Sequence, residues 1–319
     1  MQPPRSSIRL ICVLTENWTL VEPDDLRGLI DVACLAERCG IDTVMMSEHL
    51  VLGPSANALG EPSNPRAYAA PGNQNPATAS WPSSLAMLAA IGARTSTLRL
   101  AASALIAPLR HPLQLAQELA TIDRMSGGRL VVQPTVSWHR DEYEALGVPF
   151  HRRGELLDEH LAAWRRVWTG SPARFEGTHY RFDDVYLHPK PVRPTGVPMW
   201  FGGESMHPAI VRRMVEYGSG FNPFGPATAD DLALLEAGLV AAGRSLADIE
   251  LIGGTRAVFE GSNDVADVDR AIAHFPDAIA AGYRSFCFKP SQHTDDVRDL
   301  EQLFRHLVDR CNGFAPAAA

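Results

Sequence analysis

The feature that most constrains this chain is a regular alternation of short apolar runs with longer amphipathic segments. The apolar runs, which predict strands, cover residues 8–14, 43–47, 98–107, 129–132, 198–201, 220–224, 249–259 and 285–288. Segments with apolar residues at helical spacing, which predict helices, cover 23–39, 82–95, 112–125, 155–168, 208–217, 229–242, 265–281 and 296–310. Strict alternation of this kind predicts a parallel sheet covered by helices.

The number of strand–helix units selects between two architectures. Eight units in a chain of 319 residues match the size of a (β/α)8, or TIM, barrel. An open doubly wound sheet is the alternative, but the first strand is followed by TENWTL rather than by a GxGxxG turn. We therefore predict an α/β fold, a (β/α)8 TIM barrel that forms a single domain over residues 1–319.

Two stretches fall outside the repeat. Residues 53–80, after the second strand, are rich in Pro, Asn, Ser and Ala and are too long for a plain connection, so we expect an extended functional loop or lid. Residues 169–197 mix aromatic side chains with polar residues and prolines, which predicts an irregular excursion before the fifth strand.

Composition restricts the classes of partner. With 45% hydrophobic residues, a net charge of -8 and no basic run, the sequence favours a globular protein that binds a small-molecule substrate and no nucleic acid. No apolar run reaches the roughly 18 residues of a membrane span, and no signal peptide precedes the first strand, so we expect no membrane partner and a cytoplasmic location. The five cysteines lack CxxC spacing and no HExxH motif occurs, so no metal site is predicted.

Candidate site residues follow from their position, because barrel enzymes build their sites at the carboxyl ends of the strands. His49 and Glu48 follow the second strand. An imidazole there can give or take a proton near neutral pH, although a His beside a Glu also fits a plain surface pair. Gly202 and Gly203 end the fifth strand before a predicted helix. The glycines either let backbone N–H groups bind an anion or form an ordinary turn.

Several longer segments add information that single residues lack. Together they resemble the luciferase-like monooxygenase family. The segments are RHPLQLAQELATIDRMSGGRL, EYEALGVPFHRRGELLDEHL, SEHL, WFGGES and EGTHY.

The resemblance implies a role for each matching position. It places His49 beside the reactive part of a flavin ring, as the catalytic residue, and gives Glu48 a secondary part in cofactor binding. It implies a non-proline cis peptide bond at Ser103–Ala104, against the ring, where the residues alone indicate only small side chains suited to strand packing. It also implies a cofactor phosphate on Gly202, Gly203, Glu204 and Ser205.

One segment departs from the family pattern. Where family members read GVGxGW, this chain reads QPTVSW, which keeps Trp138 and the downstream Glu142 but has no glycine. Val136, Ser137 and Trp138 are therefore expected to line the cofactor edge of the pocket with bulkier side chains.

The resemblance predicts an oxidoreductase of the branch that uses the 8-hydroxy-5-deazaflavin coenzyme F420 for hydride transfer with a small organic substrate. Two alternatives stay open at this point. The first is an FMN-dependent monooxygenase, and the second is a noncatalytic flavin-binding relative. We also expect a homodimer.

Overall fold

The structure, a computed structural model, describes residues 8–314. This part of the chain contains ten strands and ten α-helices. The strands are β1 (Arg9–Val13), β2 (Thr43–Met46), β3 (Arg99–Ile106), β4 (Leu130–Thr135), β5 (Ala173–Glu176), β6 (Arg181–Val185), β7 (Met199–Phe201), β8 (Gly218–Phe221), β9 (Glu250–Gly254) and β10 (Ser285–Phe288). The helices are α1 (Leu26–Cys39), α2 (Ser84–Arg94), α3 (Pro112–Met125), α4 (Arg140–Ala145), α5 (Arg153–Thr169), α6 (Pro208–Tyr217), α7 (Ala229–Ala241), α8 (Val268–Ile272), α9 (Phe275–Ala280) and α10 (Leu300–Phe314).

Eight of the strands form a closed barrel, which confirms the predicted fold class. Their order is β1-β10-β9-β8-β7-β4-β3-β2. Neighbouring strands such as β1 and β10, or β3 and β4, run parallel. Each of the eight strands corresponds to one of the apolar runs in the sequence.

Proline fixes the start of two helices where the sequence predicts them. Pro112 and Pro208 occupy the first turns of α3 and α6, where a missing N–H costs no hydrogen bond. At the other end of α3, Gly127 and Gly128 have φ values of 69° and 85°, a left-handed conformation that glycine adopts at little cost.

Three elements differ from the sequence prediction. The helix expected over 265–281 is two short helices, α8 and α9, because Pro276 cannot lie inside a continuous helix. The excursion at 169–197 contains the antiparallel hairpin β5–β6, with Phe175 and Phe182 stacked at 5.7 Å. The short helix α4 was not predicted.

The described residues form two compact units. The first unit contains residues 8–45, 62–68 and 201–314, and the second contains 46–61 and 69–200. In the first, Phe275 stacks on Phe286 at 3.9 Å between ring centroids. None of the helices in the described part is long and apolar enough to cross a membrane.

The second unit has its own aromatic core. Trp164 and Trp168 of α5 stack at 5.5 Å, and their indole N–H groups donate to the carbonyls of Pro112 and Ala116 on α3, each at 3.1 Å. These bonds fix α5 against α3, because a buried indole N–H needs an acceptor.

Strand β3 is irregular at the predicted position. The Ser103–Ala104 peptide bond is cis, as expected, and the register with β4 shifts between Ser103 and Leu105. Ser103 donates its hydroxyl hydrogen to Gln133 Oε1 at 2.7 Å. Ala104 is half-buried, whereas the residues on both sides of it are buried, so its small side chain lies at an accessible point of the strand.

Candidate active site

His49 lies three residues beyond β2 and is held by a carboxylate from α4. Its Nδ1 is 3.2 Å from Glu142 Oε2, and Glu142 is fully buried. The other oxygen of Glu142 accepts the backbone N–H groups of Leu50 and Val51. Because the carboxylate accepts, Nδ1 carries the hydrogen, and the lone pair of a neutral His49 is then on Nε2. No described residue forms a hydrogen bond with Nε2.

Three rings surround the His49 imidazole edge-on. Its centroid is 5.0 Å from Trp81, 5.8 Å from Trp138 and 5.9 Å from His139. The side chain is 8% exposed, so most of the ring is shielded from water while one part stays accessible. The sequence prediction included Trp138 but missed Trp81, which directly follows the long loop 53–80 and had no motif to identify it.

Glu48 points away from His49 into a separate buried network. Its carboxylate accepts two hydrogen bonds from Arg110, at 2.7 and 2.8 Å, and one from the backbone N–H of Ile106 at 2.8 Å. The Ser84 hydroxyl donates a fourth, at 3.1 Å. With these four donors, Glu48 joins the end of β2 to β3 and α2. Its expected contact with a cofactor stays a prediction.

The glycine-free segment adopts a conformation that glycine would favour. Ser137 has φ of 57°, in the left-handed region. Its hydroxyl accepts the backbone N–H of His139 at 3.3 Å, which offsets part of the strain. The phenol of Tyr143 donates to the carbonyl of Val136 at 2.5 Å. A serine therefore occupies this left-handed position, while Val136, Ser137 and Trp138 stay predicted as cofactor contacts.

His139 fastens the start of the long loop. The backbone N–H of Gly53 donates to its Nε2 at 2.8 Å, and its Nδ1 lies 3.3 Å from the Ser55 hydroxyl. Asp141 accepts the backbone N–H of Ser55 at 2.9 Å. Burial, followed by the nearby His49, lowers the pKa of His139. A neutral ring with its hydrogen on Nδ1 fits both contacts, because Nε2 must accept.

The glycine pair after β7 lies in the first unit. A Cβ on Gly202 would come within 1.9 Å of the Asn222 carbonyl oxygen, so this glycine allows two backbones to meet. A Cβ on Gly203 would lie 3.0 Å from the end of the Ile210 side chain and 3.8 Å from the Ser205 carbonyl oxygen. Glu204 and Ser205 are exposed.

One backbone donor of this loop already has a partner. The N–H of Met206 donates to Asp231 Oδ1 at 3.1 Å, so a carboxylate lies next to the expected phosphate position. Phosphate binding by Gly202, Gly203, Glu204 and Ser205 stays a prediction. Within residues 8–314, no three His, Cys, Asp or Glu side chains are arranged to hold a metal ion.

Comparisons with known proteins show which proteins this chain is similar to. The family described as luciferase-like monooxygenase matches residues 9–318. An F420-dependent glucose-6-phosphate dehydrogenase from Nakamurella multipartita is 27% identical, covering 89% of this chain and 86% of that protein. An FMNH2-dependent dimethylsulfone monooxygenase from Pseudomonas putida is 34% identical over 119 residues, which is 36% of this chain and 32% of that protein.

Coverage and fold likeness differ among the matches. Mycobacterial relatives without an assigned function are 41% identical over 108 residues, which is 34% of this chain, and the chain spans 38% of their length. The F420-dependent tetrahydromethanopterin reductase from Methanopyrus kandleri has a TM-score of 0.68 at 14% identity, covering 97% of this chain and 99% of that one. This last similarity shows a shared fold alone.

Proposed function

Because this chain belongs to the luciferase-like monooxygenase family, we propose that it is an oxidoreductase that transfers a hydride between coenzyme F420 and a small organic substrate. The observation that carries the proposal is the His49–Glu142 pair, with Nδ1 committed to a buried carboxylate and Nε2 left for another partner. Interconversion of an alcohol and a ketone moves one hydride and one proton, and a positioned imidazole suits the proton. The relative from Nakamurella multipartita is named as F420-dependent, and its similarity to this chain covers 86% of its length. It therefore supports the choice of coenzyme.

The residues of the second unit fit a flat ring system near His49. Ala104 offers a small, half-buried side chain on an otherwise buried strand, and Trp138 is only partly buried. When bound, the deazaflavin supplies the hydride chemistry. We assign the coenzyme phosphate to Gly202, Gly203, Glu204 and Ser205, because glycine lets backbone N–H groups approach an anion.

We assign each polar residue near His49 a single task. His49 gives or takes the proton at Nε2, and Glu142 fixes the ring by accepting from Nδ1. Trp81 and Trp138 exclude water from the ring edges, which strengthens polar interactions at Nε2. Glu48 and Arg110 act as positioning residues, since their charges are paired with each other.

The runner-up is an FMN-dependent monooxygenase that inserts oxygen into a small substrate. The FMNH2-dependent relative from Pseudomonas putida, which is similar to 36% of this chain, favours this alternative. A noncatalytic flavin-binding relative is the further alternative, because the QPTVSW segment replaces glycines with larger side chains.

A fluorescence titration of the cofactor-free protein with each coenzyme separates these functions. We expect F420 to bind at least tenfold more tightly than FMN, and reduced F420 to be oxidised in the presence of a ketone from a broad panel. Tight binding of FMN with none of F420 would assign the monooxygenase function instead. Tight binding of either coenzyme without turnover across the panel would assign the noncatalytic function.

Assembly and location complete the proposal. We propose a homodimer in the cytoplasm, which acts on a small molecule and uses neither nucleic acid nor membrane as a partner. Sedimentation velocity of the purified chain tests the dimer, and a single species at the monomer mass would contradict it.

A further inference from the structure

The contact between His139 and the start of the long loop fixes where the imidazole carries its hydrogen. The backbone N–H of Gly53 donates to Nε2 at 2.8 Å. A backbone amide nitrogen only donates, so Nε2 must hold a lone pair. The ring hydrogen is then on Nδ1, which lies 3.3 Å from the Ser55 hydroxyl. A second proton has no place on Nε2 while Gly53 stays in contact, so this contact requires a neutral ring.

The surroundings of Gly53 hold the contact in place. His139 is fully buried, so water does not replace Gly53 at Nε2 while the loop is seated. The backbone N–H of Ser55 donates to Asp141 Oδ2 at 2.9 Å, which gives the loop a second attachment to α4. A Cβ at Gly53 would overlap the side chain of Asp141, so only glycine allows the loop to lie this close to α4.

The same loop places an aromatic ring against His49. The carbonyl of Ala56 accepts the backbone N–H of Gln74 at 2.7 Å, which joins the two sides of the loop. The Gln74 side chain, which is buried, accepts from the indole N–H of Trp81 at 3.1 Å. Trp81 in turn lies edge-on to His49, with 5.0 Å between ring centroids. Seating of the loop on His139 and shielding of His49 therefore belong to one hydrogen-bonded arrangement.

The two imidazoles are close enough for their charges to interact. The centroids of His49 and His139 are 5.9 Å apart. Burial, followed by the charge of His49, lowers the pKa of His139, while the carboxylates of Asp141 and Glu142 oppose that shift. Glu142 is already bound to Nδ1 of His49. Because like charges at this distance repel, a proton added to one ring opposes a proton on the other.

We propose that His139 is a positioning residue for the proton that His49 carries in the proposed function, and that the seated loop controls it. With Gly53 on Nε2, His139 stays neutral, and the added proton of the pair goes to Nε2 of His49, next to Trp81. When Gly53 leaves, Nε2 of His139 becomes a second place for a proton, and a charge there opposes proton uptake by His49. Formation of the acid is thereby coupled to closure of the loop. The inference rests on the proposed function only for the use of this proton.

Histidine-selective ¹⁵N NMR of the full chain, without added coenzyme, measures the protonation state of each ring directly. Its outcome is therefore independent of the F420 proposal. We expect His139 to show a hydrogen on Nδ1 and none on Nε2 from about pH 5.5 to 8, around the ordinary histidine value of about 6.5. The exposed His151 serves as the titrating reference. A hydrogen on Nε2 of His139, or a charged ring in this range, would overturn the proposal.

Gly53→Ala tests the coupling between the two rings. The φ of Gly53 is -107°, which suits alanine, so the new Cβ displaces the contact through its overlap with Asp141 and without backbone strain. We expect His139 to take up a proton in this variant, and proton uptake by His49 to move to lower pH by about half a unit or more. Ser55→Ala is the matched control, because it removes the hydroxyl at Nδ1 and leaves the Gly53 contact at Nε2.

A double variant separates the effect of charge from a general disturbance of the loop. His139→Gln offers a carbonyl oxygen to the Gly53 N–H and cannot become charged. In that background, Gly53→Ala should leave proton uptake by His49 unchanged. The coupling is wrong if His49 shifts equally in both backgrounds, if Ser55→Ala shifts it as well, or if His139 stays neutral in Gly53→Ala. The expected shifts in a protein that turns over no substrate would support the coupling and contradict the proposed function alone.

Discussion

At the residue scale, two neighbouring side chains at the end of β2 have opposite environments. Glu48 is bound by Arg110, and His49 is bound by Glu142. Adjacent residues in extended chain point to opposite sides, so the sequence could predict that these two would not pair. It could not identify their partners, because Glu142 is 93 positions from His49 along the chain.

His49→Ala tests the proton-handling role. We expect turnover to fall by about two orders of magnitude or more, since positioned acid–base groups contribute about 10²–10⁴-fold, while F420 affinity stays nearly unchanged. Steady-state kinetics and fluorescence titration measure the two quantities. His151→Ala, at an exposed histidine, is the control. Weaker F420 binding with normal turnover would make His49 a residue that anchors the coenzyme. Normal turnover with normal F420 binding would exclude His49 from the mechanism and make His139 the next candidate.

Gly203→Val tests the phosphate assignment. A Cβ at this position meets the flexible end of Ile210 at 3.0 Å and the Ser205 carbonyl oxygen at an ordinary 3.8 Å, so we expect the variant to fold, while the valine branches cover the backbone N–H groups. We expect weaker F420 binding with little change in the unfolding midpoint. Gly202 is unsuitable for this test, because a Cβ there meets the Asn222 backbone. Unchanged affinity in the folded variant would place the phosphate elsewhere.

At the element scale, local signals predicted most boundaries and tertiary contacts decided the rest. Prolines mark the starts of α3 and α6. Pro276 indicates the break between α8 and α9, although we predicted a single helix there. The β5–β6 hairpin had no comparable signal, since its strands carry several charges. Its turn is held by Glu159, which accepts the N–H groups of residues 178–180. Such a distant acceptor is invisible in a local pattern.

The Arg110–Glu48 pair is expected to stabilise the joint between β2 and β3. Arg110→Met leaves a carboxylate that is 5% exposed without its cation, which typically costs about 3–5 kcal/mol of unfolding free energy. Urea unfolding measures it. Arg305→Met breaks an exposed pair with Glu301 and should leave the free energy of unfolding nearly unchanged, because water and salt screen exposed ion pairs. Adding Glu48→Gln to Arg110→Met should recover part of the loss, and equal costs for the two single variants would contradict this account.

The loop contact of His139 predicts a pH dependence of stability. Its pKa in the folded protein lies below the ordinary 6.5, so the unfolded chain binds more protons in this range. Stability from this contact is present above about pH 6.5 and is lost as the pH falls through the lowered pKa. His139→Gln keeps an acceptor for Gly53 and should reduce the slope of unfolding free energy against pH in this window. His151→Gln is the control, and identical slopes for wild type and His139→Gln would disprove the contact's role.

At the scale of the whole molecule, alternation of strands and helices was sufficient to predict the barrel. The eight apolar runs all became barrel strands, because parallel strands buried on both faces need continuous apolar sequence. The activity could not be predicted from this pattern alone, since proteins with many different activities share the fold. Motifs such as SEHL located His49, but Trp81 comes from the margin of the long loop 53–80, where composition indicates a loop without its contacts.

Coenzyme binding should stabilise the entire chain, and the size of this effect discriminates between the coenzymes. A ligand at 100 times its Kd that binds only the folded protein adds about 2.7 kcal/mol to the unfolding free energy. If F420 binds tenfold more tightly than FMN, FMN at the same concentration adds only about 1.4 kcal/mol by the same relation. Thermal unfolding with each coenzyme measures the difference, and His49→Ala should show the same two increments, because its role is the proton. A larger increment with FMN would support the monooxygenase, and no increment with either coenzyme would remove both functions.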